Sequence, residues 1–110
     1  MRLPNGEHAI VDLAKLRDYV LNPHHPRGRH KARVFASALA ILQSDAEFLR
    51  MHLLQAARSG NAIPGEKDLH RERFTLDFEC VRHERKAMVR SNWIVLTGEP
   101  FPRLTTCFVL

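Results

Sequence analysis

The sequence predicts an α+β domain: two to three N-terminal helices packed on one face of a C-terminal antiparallel sheet of three to four strands. Three observations predict it. Apolar residues in the first half recur at helical spacing, with start and stop signals between segments. The second half switches to a period of two, clearest in Arg73-Phe74-Thr75-Leu76-Asp77-Phe78-Glu79-Cys80. Helices followed by consecutive strands on short connections give an antiparallel sheet covered on one side. A chain of 110 residues fits one domain, 1–110.

Asp12 is placed to cap a short helix whose apolar face is Leu13, Leu16 and Val20. That helix ends near Leu21-Asn22, because Pro23 disfavours helical geometry in the residue before it. Asn22 to Arg29 reads as a loop, with two prolines and a glycine. Helix returns from about His30 to Gln43, with Val34, Phe35, Ala38, Leu39 and Leu42 as its apolar stripe. Ser44-Asp45-Ala46-Glu47 matches a capping box and starts a third helix, which Ser59-Gly60-Asn61 ends. A charged turn, Arg82 to Lys86, separates the alternating strand from a second one, Ala87–Leu96. Its run Trp93-Ile94-Val95-Leu96 marks a central strand, with Trp93 in the core. After the loop Thr97–Pro102, Leu104–Leu110 is rich in β-branched and aromatic residues and forms the last strand. Leu69–Glu72 offers a short extra strand.

Composition narrows the function classes. No apolar run reaches the roughly 18 residues of a membrane-spanning helix, and no signal-peptide segment follows Met1. A cytoplasmic location without membrane contact is the expectation. Cys80 and Cys107 lie in apolar strand-like runs outside any CxxC pair, as buried reduced thiols do. No phosphate-binding or dinucleotide glycine loop, H-E-x-x-H motif or nucleophile elbow is present, which disfavours ATP hydrolysis, hydride transfer and zinc-protease chemistry. No cofactor or metal is expected.

Charge points to an anionic partner. The net charge is +5, and no acidic residue lies between Asp18 and Asp45. That interval holds Arg27, Arg29, Lys31 and Arg33 with His24, His25 and His30. Arg and Lys neutralise phosphates, and Gly28 lets backbone approach an anion. A histidine can move a proton in phosphodiester cleavage, and Lys31 can stabilise the charge that builds on phosphorus. The same residues also fit a solvated basic loop and helix face. Arg90 and Asn92 share one face of the middle strand, opposite Trp93. Arg90 must reach solvent, a bound anion, or Asp77 or Glu79 across the sheet. Thr106 is either a plain strand residue or a hydroxyl for a phosphate oxygen.

Leu16–Pro26, Gly28–Ala36, Val89–Val95 and Pro102–Val109 resemble a small uncharacterised bacterial domain family whose gene arrangement suggests toxin–antitoxin pairs. The helices-then-sheet order, with Thr106 and Phe108 on a terminal Leu-Thr-Thr-Cys-Phe strand, is also similar to the barnase/EndoU/colicin/RelE superfamily of small ribonucleases. Phe108 stands where a Tyr is more usual, which removes a hydroxyl. The resemblance implies a catalytic set of His25, Lys31, Arg90 and Thr106. His24, Arg27, Arg29, His30, Arg33 and Asn92 would bind the RNA phosphates. His24 or His25 would carry the proton, Lys31 and Arg90 would hold the scissile phosphate, and Thr106 would orient it. The expected function is a metal-independent endoribonuclease, the toxin of a pair with a small acidic antitoxin or immunity protein. The alternatives are a nucleic-acid-binding module without catalysis and an immunity- or antitoxin-type interaction partner.

Overall fold

Burial of one face of a sheet under helices organises the chain. The computed structural model describes residues 1–110. A single 3-10 turn at Gly6–His8 precedes α1 (Leu13–Lys15), which runs without a break into a π-helical stretch, Leu16–Val20. Then follow α2 (Arg29–Leu39), a 3-10 turn at Gln43–Asp45, α3 (Ala46–Ser59) and four strands. These are β1 (Ala62–Lys67), β2 (Arg71–Arg82), β3 (Arg85–Leu96) and β4 (Arg103–Val109), antiparallel in the order β1-β2-β3-β4.

The Asp12 cap is present: its carboxylate accepts the Ala14 N–H at 2.9 Å. The other boundaries differ from the sequence reading in instructive ways. α2 stops at Leu39, not Gln43, because Ala40 turns left-handed (φ 54°) and Ile41 N–H bonds back to the Phe35 carbonyl. Leu42 consequently leaves the apolar stripe and is exposed, as is Val34. The Ser44–Glu47 capping box does not form. Instead the Asp45 carboxylate accepts the Leu42 N–H at 2.9 Å and pairs with Arg82 at 3.0 Å, tying the start of α3 to the end of β2. The extra strand lies at 62–67, earlier than Leu69–Glu72, which divides between a turn and the start of β2. The charged turn narrows to His83-Glu84, with His83 left-handed (φ 55°).

Alternation along the strands sends Phe74, Leu76, Cys80, Val89, Trp93, Leu104 and Cys107 toward the helices, where all are buried. Leu16, Val20, Phe35, Leu39, Leu49 and Leu53 meet them in one continuous core. Ser91 is the one buried polar residue, and its needs are met: Oγ donates to the Leu76 carbonyl and accepts from Trp93 Nε1. Both cysteines are buried and free, as expected. The opposite face of the sheet carries Arg73, Thr75, Asp77, Arg90, Asn92 and Thr106, and no helix covers it. No helix is long and apolar enough to cross a membrane.

Candidate functional site

Lys31 sits in the first turn of α2, which packs along the β4 edge. Its Nζ donates to Thr106 Oγ1 at 3.2 Å, across 75 residues of sequence. The ammonium lies 5.7 Å from the Tyr19 ring centroid and 5.8 Å from that of Phe108. Two aromatic rings thus hold the charge in place, and two of its three N–H groups are left for an anion.

Tyr19 also links this pair to His25, whose ring centroid lies 4.4 Å from its own. The His25 Nδ1 accepts the backbone N–H groups of Arg27 and Gly28, both at 3.0 Å. An acceptor at Nδ1 puts the ring proton on Nε2 of the neutral imidazole. The loop itself is rigidly built. Asn22 accepts the His24 N–H through its side chain and the His25 N–H through its backbone carbonyl. Gly28 is there for a tight contact within the chain: a Cβ would fall 2.0 Å from the Tyr19 carbonyl oxygen.

His25, Lys31 and Thr106 therefore converge at the β4 edge, joined through Tyr19 and Phe108. His30 and Lys31 line a shallow cavity of about 270 Å³ there with Val34, Phe108 and Val109. His24, Arg27 and Arg29 are exposed. Arg33 turns away and lines a different groove with Arg17 and Leu42.

Arg90 and Asn92 lie on the open face, one strand in from this edge, opposite Phe108 and Thr106 in register. Of the readings open for Arg90, the structure realises the cross-strand pair. Its Nε and Nη2 donate to the two carboxylate oxygens of Asp77, both at 2.9 Å. The same bonds hold the Asp77 carboxyl below its ordinary value. Arg90 thus borders the site with its guanidinium already engaged. Asn92 Oδ1 accepts from the Thr75 hydroxyl at 3.1 Å, while its amide N–H groups donate to no protein group.

Sequence reasoning missed Tyr19 and Arg73. Tyr19 is an ordinary member of a short helix until the π-helical stretch turns it beside His25 and Lys31. Arg73 was visible as an outward strand residue, but its lack of a partner depends on register. It forms no ion pair, although Arg90 on β3 and Arg103 on β4 are both neutralised by carboxylates.

No curated protein matches the chain, and no solved structure matches it. Residues 2–110 match the model of one family, so the chain belongs to the family described as a domain of unknown function, DUF6883.

Proposed function

We propose that this domain is a metal-independent endoribonuclease, the toxin of a toxin–antitoxin pair acting on cytoplasmic RNA. The observation that carries it is the Lys31–Thr106 contact at 3.2 Å, with His25 on the shared Tyr19 ring and His30 in the same cavity. Lys31 and Thr106 hold the scissile phosphate, and the ammonium stabilises the charge that grows on its oxygens. His25 supplies its Nε2–H as a donor to the phosphate; its Nδ1 is filled by two backbone N–H groups, so it is not the proton carrier. His30, in the cavity with Lys31, takes the 2′-hydroxyl proton. The 2′-oxygen attacks phosphorus, the bond to the 5′-oxygen breaks, and that oxygen takes a proton from solvent. The products are a 2′,3′-cyclic phosphate and a 5′-hydroxyl. An acidic partner that covers Lys31, Arg27 and Arg29 would silence the site.

The test is incubation of purified domain with single-stranded RNA in the presence of EDTA. Cyclic-phosphate ends are expected, with Lys31→Ala and His30→Ala each lowering kcat about 100-fold. RNA left intact from pH 5 to pH 9 overturns the proposal. The filled Nδ1 of His25 favours a second reading, RNA binding without cleavage. It predicts the same Lys31 dependence in binding, no products, and no growth arrest when the domain is expressed alone.

A further inference from the structure

The open face of the sheet holds a second polar feature beside the Lys31 site. A groove of about 520 Å³ crosses it, lined by Arg73 and Thr75 on β2, Asn92 on β3, and Thr105 and Thr106 on β4. Register sets Thr75, Asn92 and Thr106 side by side across three strands, so this row spans about 10 Å.

Its hydrogen-bonding character is one-sided. Thr105 Oγ1 donates to the Asn92 carbonyl, and Asn92 Oδ1 is already filled by Thr75. The Asn92 amide N–H groups, the Thr106 hydroxyl hydrogen and the Arg73 guanidinium remain as donors. Arg73 is half-buried and without a carboxylate partner, whereas Arg90 and Arg103 each have one. Glu66, exposed on β1, is the single acid in the lining. It makes the β1 end unfavourable for an anion and leaves the Asn92–Thr106 end as the place for one.

We infer that this groove binds a second phosphate, the one next along a single nucleic-acid strand whose scissile phosphate lies on Lys31 and Thr106. Thr106 is shared, standing between the two phosphates. The inference takes its ligand class from the phosphodiester reading of the Lys31 site, and needs no cleavage. A substrate with one phosphate fills only the Lys31 site; a longer strand fills both. The domain then favours oligonucleotides over dinucleotides.

The test uses 2′-deoxy probes, which cannot be cut through a 2′-hydroxyl: TpT, with one phosphate, and TpTpT, with two. Wild type is expected to bind TpTpT about tenfold more tightly than TpT, the worth of one charged hydrogen-bonded contact. Arg73→Ala should bring TpTpT within twofold of TpT and leave TpT unchanged. Glu66→Gln, an isosteric change at an exposed position, should tighten TpTpT. Equal affinity for the two probes, no binding of either, or an Arg73→Ala loss equal for both overturns the second site. The RNA cleavage assay separates this outcome from the fate of the nuclease reading. Cleaved RNA with an Arg73-independent KM removes the groove and keeps the nuclease. Arg73-dependent TpTpT binding with intact RNA does the reverse.

Discussion

Cys107 lies in β4 with no exposed surface, and burial pushes its thiol up to about 12 from an ordinary 9.0. The folded thiol therefore ionises later than the unfolded one. Its contribution to stability is complete below pH 9 and is lost as pH rises toward 12. A thiol-reactive dye at pH 8 should leave native Cys107 untouched and label it after urea unfolding; rapid labelling of the folded protein would contradict this. At this same scale, much of the candidate site was legible. The acid-free interval marked Lys31 and His25, and the strand pattern marked Thr106 and Asn92. For Arg90 the sequence left Asp77 open among several partners, and register selected it; the solitary state of Arg73 was not legible, because it depends on that same register.

Among the elements, β1 was the one the sequence concealed. Ala62-Ile63-Pro64-Gly65 is given no strand by the sequence, because its proline and glycine weaken one, yet an edge strand tolerates both. The helices were legible in number but not at their ends, where backbone geometry decides. Ala40 closes α2 in a left-handed conformation that costs a side-chain-bearing residue about 1 kcal/mol. Ala40→Gly should therefore raise stability by about 0.5–1 kcal/mol in urea denaturation, even though glycine loses more entropy on folding. Gly28→Ala should act in the opposite sense, losing about 2 kcal/mol or more. Its new Cβ meets the Tyr19 carbonyl at 2.0 Å, and backbone on both sides leaves little room to yield. If Gly28→Ala were neutral, the contact of the loop with the π-helical stretch would not be tight in solution.

Over the whole molecule, charge is distributed with a direction. Four basic residues of the acid-free interval sit on one loop and the helix it leads into, and Lys31 among them reaches the sheet edge. Electrostatic attraction should then dominate affinity for single-stranded nucleic acid. The logarithm of the association constant should fall linearly with the logarithm of salt concentration. Lys31→Ala should reduce the slope by about 0.7 with TpT or TpTpT, and Arg73→Ala by the same amount with TpTpT alone. A slope indifferent to both substitutions would place the bound phosphates elsewhere.

The internal bonding of the basic loop has a kinetic consequence. Asn22, His25 and Gly28 hold a segment that composition alone would mark as mobile. Little chain entropy then remains to be lost at encounter, and no slow rearrangement has to precede docking. Stopped-flow association traces should be single-exponential, with a rate that rises linearly with ligand concentration and falls steeply with ionic strength. If the proposed function holds, the loop meets nucleic acid as a rigid body, steered by its field.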